Sequence, residues 1–206
     1  MSRGADDGDA QSPNVVVEER GTLAVLRINR PGHRNSLSAA TLQELDQAFS
    51  TLNARDRIGA IVFTGTRDVF ASGADIRELK TLTPDSALDF ARRGQALFQK
   101  ISEARRLTVA AVNGYCMGGG LDLALACRVR VASPDAVFAH PGARLGIITG
   151  WGGTQRLPAL VGSARAFEIF LTAGRLSAQE ALEAGLVSHV DADVLGRALE
   201  LASRHV

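Results

Sequence analysis

The stretch VNGYCMGGGLDLALAC, residues 112–127, decides the fold prediction. An apolar run enters three consecutive glycines, Gly118 to Gly120, and continues with apolar residues broken only by Asp122. Glycine has no Cβ, so a strand that turns through glycines into a helix can bring backbone N–H groups close to a ligand. The stretch predicts a strand-to-helix turn that cradles an anion or oxyanion, or alternatively a turn whose glycines serve close packing.

Asp122 is the unusual residue of this stretch. A helix that is apolar on all sides is buried, so its one acid needs strong partners or has a perturbed pKa. One interpretation is a carboxylate stabilised by the positive end of the helix dipole. The other is an acid held beside the glycine cradle for proton transfer or for positioning water. A second loop of small residues, FASGAD, favours the latter, because two such loops can approach one carbonyl oxygen from opposite sides.

Strand and helix patterns alternate along most of the chain. A helix capped by Ser38, a helix from Pro84 to about Glu103 and a helix in SAQEALEAG follow start signals. The segment TRDVFASGAD is predicted to be a glycine-containing loop. The predicted strands, in chain order, are NVVVEE, TLAVLRIN, IGAIVFTG, LTVAAVNG, VRVAS, AVFAH and LVSHV. This alternation predicts an α/β fold with mainly parallel strands.

Composition limits the classes of function. The chain has 206 residues, 46% of them hydrophobic, enough for one full core. We expect residues 1–13 to be a disordered leader, 14–190 the core, and 191–206 the start of a C-terminal helical region. A net charge of +1 gives no field that would attract nucleic acid or an anionic membrane. The sequence contains neither a membrane-span pattern nor a signal-peptide pattern, so we expect a cytoplasmic protein.

Metal or disulfide chemistry is not indicated. The two cysteines, Cys116 and Cys127, have no metal-ligand spacing, and the four histidines are widely scattered. We expect free thiols and no metal site.

Four motifs in order carry a family resemblance: NRPGHRNSLS, FASGADIREL, VNGYCMGGGLDLALACRVRVAS and LGIITGWGGTQRLPALVG. From about residue 15 to residue 190 the chain resembles the crotonase family, also called the enoyl-CoA hydratase/isomerase family. The resemblance implies a spiral of ββα units, assembly into trimers or pairs of trimers, and a role in fatty-acid metabolism. It implies no permanently bound cofactor, with coenzyme A entering as part of an acyl-CoA thioester whose carbonyl accepts two backbone hydrogen bonds.

The resemblance also assigns roles to residues. The oxyanion N–H groups fall on Ser72 and Gly119, and the first family acid falls on Asp122. Arg30 and Arg34 fall where the phosphates of coenzyme A are met, or alternatively are solvated loop arginines. His140 could line the acyl end of the pocket or simply pack. The remaining predicted substrate-binding positions are Gly73, Ala74, Asp75, Ile76, Gly118, Gly142 and Trp151, of which Trp151 could also be a core residue.

The sequence departs from the family pattern at two acids. The hydratases use two glutamates, and here the first is Asp122, one methylene shorter, and the second is Gly142. Gly150 stands where some relatives place a third acid or a nucleophilic aspartate, which argues against dienoyl-isomerase and aromatic-dehalogenase activity. The resemblance implies a hydratase, which is a lyase, or an isomerase, with Asp122 as the remaining acid or base.

Two alternatives stay open. A non-catalytic acyl-CoA binder would keep the oxyanion cradle without a working proton donor. A thioester hydrolase would use Cys116 with His140, by distant similarity to Clp-type serine proteases, whose nucleophile precedes Met-Gly in a comparable turn. A buried thiol that only packs would leave no such nucleophile.

Overall fold

The computed structural model describes residues 12–206, so nearly all of the predicted leader lies outside the described residues. The strands are β1 (Val15–Arg20), β2 (Leu23–Ile28), β3 (Ala60–Thr64), β4 (Val69–Ala71), β5 (Leu107–Val112), β6 (Tyr115–Met117), β7 (Val129–Ala132), β8 (Val137–Ala139), β9 (Arg175–Ser177) and β10 (His189–Val190). The α-helices are α1 (Ala39–Ala54), α2 (Ile76–Leu79), α3 (Pro84–Ser102), α4 (Gly119–Ala126), α5 (Gly153–Val161), α6 (Ser163–Thr172), α7 (Ala178–Glu183) and α8 (Val194–Ser203).

The strands form two sheets. The first has the order β1-β2-β3-β5-β7-β10 and the second β4-β6-β8-β9. Among the strands within residues 12–206, β1–β2 and β8–β9 pair antiparallel, and the other strand pairs are parallel. The predicted α/β class with mainly parallel strands is confirmed.

The chain repeats a ββα unit. Each unit places one strand in the first sheet, the next in the second sheet, and then a helix: β3, β4 and α3, followed by β5, β6 and α4. Each of these units therefore adds one strand to each of the two sheets, and this arrangement is the predicted spiral.

The first sheet is covered on both faces. One face packs on the main core, which includes α1, α3 and α4. On the other face, α8 buries Val194, Ala198 and Ala202 against residues of β2, β3, β5 and β7. Burial on both faces explains why β3 is apolar along nearly its whole length, as expected for an interior parallel strand. Residues 191–206, predicted to begin a C-terminal helical region, thus supply the helix that covers this outer face.

The prediction of a loop over TRDVFASGAD is wrong in part, because Val69–Ala71 of that segment form β4. Its partner β6 is equally short, and strands of three residues carry too little periodicity to be recognised from sequence. The two strands are parallel neighbours, so the segments that follow them emerge at the same edge of the second sheet. These segments are the FASGAD loop and the glycine turn.

Helix starts were predicted more accurately. The Ser38 side chain accepts a hydrogen bond from the Thr41 amide, and Thr83 and Ser177 each form a capping box. Within residues 12–206, no helix combines the length and apolar character needed to cross a bilayer.

Candidate active site

Two loops meet at the edge of the second sheet. Gly73 has a φ of +95°, and a Cβ added to it would lie 2.9 Å from the Met117 carbonyl oxygen and 3.2 Å from the Gly119 nitrogen. Only glycine therefore allows this approach. The Leu37 amide donates to the Gly73 carbonyl at 2.8 Å, which fixes the loop from its other side. The predicted oxyanion residues Ser72 and Gly119 thus lie on segments that are in contact.

The glycine turn leads directly into α4. Gly118 has φ +51° and ψ −119°, its amide donates to the Ala139 carbonyl at 2.9 Å, and the helix begins at Gly119. A Cβ on Gly120 would lie 2.2 Å from the Ala71 carbonyl oxygen, so this glycine lets α4 pack on the end of β4. The predicted buried helix is confirmed, and the Gly119 amide lies at its N-terminus, where the helix dipole favours negative charge.

Asp122 lies one helical turn after Gly119 and is 1% exposed. Thr149 donates a hydrogen bond to Oδ2, whereas Oδ1 has no hydrogen-bond partner among residues 12–206. Burial raises the pKa of Asp122 to about 6, partly opposed by the Thr149 hydrogen bond, the amides of Trp151 and Gly153, and the charge of Arg156. The carboxylate is therefore poised to gain and lose a proton near neutral pH.

His140 is a titratable neighbour of the unpartnered Asp122 Oδ1. Its Nε2 lies 3.6 Å from Asp122 Oδ1, and neither ring nitrogen has a hydrogen-bond partner in the part of the chain that the structure describes. Burial lowers the pKa of His140 to about 4, so at neutral pH a neutral imidazole faces the carboxylate. A Cβ on Gly153 would lie 2.1 Å from Oδ1 and 3.0 Å from His140 Cε1. Gly153 therefore lets the two side chains approach.

Trp151 is a core residue that also borders the site. It is 4% exposed and packs against Phe90 and Phe98, with ring centroids 5.2 and 5.5 Å away. Added Cβ atoms on Gly94 and Gly119 would each lie 2.3 Å from an atom of its indole. The indole therefore lies against the predicted oxyanion glycine.

Arg30 and Asp75, both predicted to bind the ligand, pair with each other. Arg30 Nη1 lies 3.3 Å from Asp75 Oδ2 and donates to the Ser36 carbonyl at 2.7 Å. Asp75 also caps α2 by accepting from the Arg77 amide at 3.1 Å. These contacts hold the FASGAD loop in place, and a direct contact of either side chain with coenzyme A stays a prediction.

The other predicted ligand positions differ in exposure. Arg34 is exposed, and its guanidinium lies 5.1 Å from the centroid of the Tyr115 ring, at the start of β6. Ile76 is half exposed at the start of α2, and Ala74 lies near Gly119. Arg34 and Ile76 are thus accessible to an external ligand.

Gly142 has a structural role of its own. It lies in a short 3-10 helix, Pro141–Leu145, and its carbonyl accepts from the Ile147 amide at 3.0 Å. A Cβ at Gly142 would lie 2.5 Å from the Ile147 carbonyl oxygen. The glutamate that the family pattern would place there would therefore require this turn to shift.

Cys116 is fully buried in β6. Burial, with a contribution from the Asp122 charge, raises the pKa of its thiol well above the usual range. Neither ring nitrogen of His140 bonds to a group in residues 12–206. The structure therefore gives no support to a Cys116–His140 nucleophile pair, which needs a thiolate.

Three residues around Asp122 were not singled out from the sequence: Thr149, Gly153 and Arg156. All lie in the motif LGIITGWGGTQRLPALVG that carried part of the resemblance. A conspicuous glycine pair after a tryptophan was the available signal, but nothing in the sequence indicated that it would close over Asp122.

Comparisons with known proteins agree with this architecture. The family model for enoyl-CoA hydratase/isomerase matches residues 18–206. A short-chain-enoyl-CoA hydratase of Clostridium acetobutylicum is 37% identical over 196 residues, covering 94% of this chain and 75% of that protein. A crotonyl-CoA hydratase of Syntrophomonas wolfei is 40% identical over 178 residues, covering 86% of this chain and 68% of that protein.

A solved structure gives the same result for the fold. The enoyl-CoA hydratase of Bacillus anthracis superposes with a TM-score of 0.89 at 33% identity, covering 93% of this chain and 76% of that one. Sequence, fold and the two converging loops thus lead to one assignment. The chain belongs to the enoyl-CoA hydratase/isomerase family, and it is an enzyme of that type with the crotonase fold.

Proposed function

We propose that this enzyme hydrates a 2-enoyl-CoA thioester, with Asp122 as its only side-chain acid and base. The observation that supports this proposal most directly is the state of the Asp122 carboxylate. It is buried, has one oxygen without a hydrogen-bond partner among the described residues, and lies one helical turn from Gly119. The thioester carbonyl would accept hydrogen bonds from the Ser72 and Gly119 amides. Donors aimed at a developing oxyanion in a site shielded from water supply a large share of catalysis.

The chemistry needs one carboxylate and one water. As the water oxygen bonds to C3 of the enoyl group, Asp122 takes a proton from that water, and the C2–C3 π electrons move into the thioester to form an enolate. Asp122 then gives the same proton to C2, which regenerates the carboxylate. Because the carboxylate is 1% exposed, turnover includes a local opening around it in which Thr149 gives way.

The coenzyme A portion would meet accessible groups. Arg34 offers a charged group for a phosphate, and Ile76 offers exposed apolar surface at the start of α2. Arg30 and Asp75 would act by holding the FASGAD loop through their ion pair. We also propose that the protein assembles into trimers or pairs of trimers.

The absence of a carboxylate at Gly142 favours a second candidate, a non-catalytic acyl-CoA binder. A hydratase with two carboxylates can divide the handling of water and of the C2 proton between them, whereas this chain has none at position 142. An isomerase would use the same enolate and the same Asp122, moving a proton within the acyl chain without adding water.

The test compares crotonyl-CoA hydration by the wild type and by Asp122→Asn. The variant keeps the shape and removes the charge, so acyl-CoA binding should persist while kcat falls about 100-fold or more. Asp46→Asn is the matched control, because it removes a carboxylate from the exposed surface of α1, and its turnover should equal that of the wild type.

Two results would contradict the proposal. Undiminished turnover by folded Asp122→Asn would leave Asp122 a structural acid. Wild type that binds acyl-CoA in a calorimeter but converts no unsaturated or 3-hydroxyacyl thioester would be the non-catalytic binder.

A further inference from the structure

The Trp151 indole separates the site from a neighbouring groove. It fills the space between α3 and α4, because Gly94 on one helix and Gly119 on the other both lack the Cβ that would collide with it. Beside α3 a groove of about 430 Å³ is lined by residues that include Arg92, Gln95 and Gln99. Trp151 itself forms part of the groove wall.

The indole is held in place from several directions. Phe98 meets it edge-on at 88°, and Phe90 lies across it at 52°. The backbone is fixed as well, because Gln95 donates to the Gly150 carbonyl at 2.8 Å and Arg156 donates to the Trp151 carbonyl at 3.1 Å. The wall is therefore a packed element of the core and not a freely rotating side chain.

The geometry defines where an acyl chain would run. A thioester oxygen bound by Gly119 places the reacting carbons beside Asp122, one helical turn further along α4. The next atoms of a chain on this line would meet the indole, which lies against Gly119 and whose own backbone amide lies beside the Asp122 carboxylate.

We infer that Trp151 sets the acyl-chain length that this enzyme accepts, by closing the acyl end of the site against the groove beside α3. This inference rests on the proposed function. Short-chain thioesters fit on the Gly119 side of the indole, and longer chains are rejected because they would have to displace a packed aromatic side chain. Removing the indole would join the site to the groove, where a longer chain could lie along Ala96 and the side-chain stems of Arg92 and Gln95.

The test measures kcat/KM for crotonyl-CoA and for the ten-carbon 2-decenoyl-CoA in wild type, Trp151→Phe and Trp151→Leu. We expect the wild type to prefer crotonyl-CoA. The ratio of decenoyl to crotonyl kcat/KM should rise about tenfold or more in Trp151→Leu, with a smaller rise in Trp151→Phe, because even one methylene changes selectivity by about tenfold or more. Phe49→Leu is the matched control, since it shortens a buried aromatic residue between α1 and β3 and should leave the ratio unchanged.

Binding gives an independent measurement that needs no turnover. Dissociation constants of saturated butyryl-CoA and decanoyl-CoA should show the same change of preference in Trp151→Leu. Trp151 is the only tryptophan in the chain, so its fluorescence in the wild type should respond to butyryl-CoA.

The outcomes separate the two proposals. An unchanged decenoyl-to-crotonyl ratio in a folded Trp151→Leu protein, or a wild type that already prefers long chains, would overturn the inference about Trp151. Wild type that turns over no thioester would overturn the proposed hydration, while the binding constants would still decide the role of Trp151. If Trp151→Leu does not fold, Trp151→Phe and the wild-type fluorescence still decide it.

Discussion

At the scale of single residues, burial makes Asp122 able to exchange a proton near neutral pH and makes its ionised form destabilising. Its pKa rises from 3.8 to about 6, chiefly because burial penalises the charged form. The folded protein therefore binds this proton more tightly than the unfolded chain does. The stability that the group contributes is complete below about pH 4 and is lost as pH rises through about 6.

The predicted consequence is a pH-dependent effect of Asp122→Asn on stability. A rise of the Asp122 pKa from 3.8 to about 6 corresponds to about 3 kcal/mol, so the variant should gain stability of that order over wild type at pH 8 and little or none at pH 4. Urea unfolding at both pH values measures the difference. An equal difference at both would show that Asp122 is not protonated preferentially in the fold.

His140 should tune the same carboxylate in catalysis. Wild-type kcat/KM for hydration should fall as pH drops below about 6, where Asp122 gains its proton. His140 Nε2 lies 3.6 Å from Oδ1, so a small shift of the neutral imidazole would let it donate a hydrogen bond to the ionised carboxylate. His140→Leu should then move this acid limb to higher pH by about one unit. His140→Gln keeps a neutral N–H donor and should leave the limb near its wild-type position.

The other charged and polar groups around Asp122 are unchanged in this comparison. They are Thr149, Arg156, Cys116 and the amides of Trp151 and Gly153. A pH profile that is the same in wild type and His140→Leu would show that His140 only fills space, as the packing interpretation of this residue holds.

At the scale of elements, the 3-10 helix Pro141–Leu145 determines what position 142 can carry. A Cβ there would come within 2.5 Å of the Ile147 carbonyl oxygen, a backbone atom that cannot rotate away. Gly142→Ala should therefore destabilise the protein by about 1–3 kcal/mol, as overpacking typically does. Gly150→Ala is the control, since an added Cβ there meets nothing within 4 Å.

The same contact bears on restoring the family glutamate. Gly142→Glu should not by itself raise crotonyl-CoA hydration, because the turn must first rearrange to hold the side chain. A large gain in rate from this single change, with stability retained, would show that the turn accommodates it easily.

Elements that are determined by short local patterns could be predicted from the sequence. The buried β5, the capped α3 and the glycine turn follow from apolar runs, capping residues and the conformational freedom of glycine. The site was only half predictable, since Asp122 stood out as one acid in an apolar helix. His140 and Thr149 lie 18 and 27 residues from it, and only the folded chain brings them to its carboxylate. The motif resemblance, not periodicity, supplied Ser72 and Trp151.

At the scale of the whole molecule, α6 leaves an apolar surface exposed. Phe167 is 68% exposed and Leu171, one turn later, is 67% exposed. Ile148, which is 63% exposed, follows the 3-10 helix Pro141–Leu145, and that helix contacts α6. Clustered large apolar side chains on a surface mark sites of association, because their burial removes unfavourable contact with water. The proposed trimer would use such a surface.

The last prediction tests this association. Sedimentation velocity of the wild type should show a trimer or hexamer, and Phe167→Glu with Leu171→Glu should shift it toward the single chain, because two carboxylates would be buried without partners in the interface. Val17→Glu is the matched control: it places a charge on an exposed apolar position of β1, far along the chain from α6, and should leave the assembly intact. Single-chain behaviour of the wild type would rule out the proposed assembly, and disruption by Val17→Glu alone would place the contact on β1. If the double variant remains assembled, α6 does not form the interface, and the exposed side chains of α6 must be explained in another way.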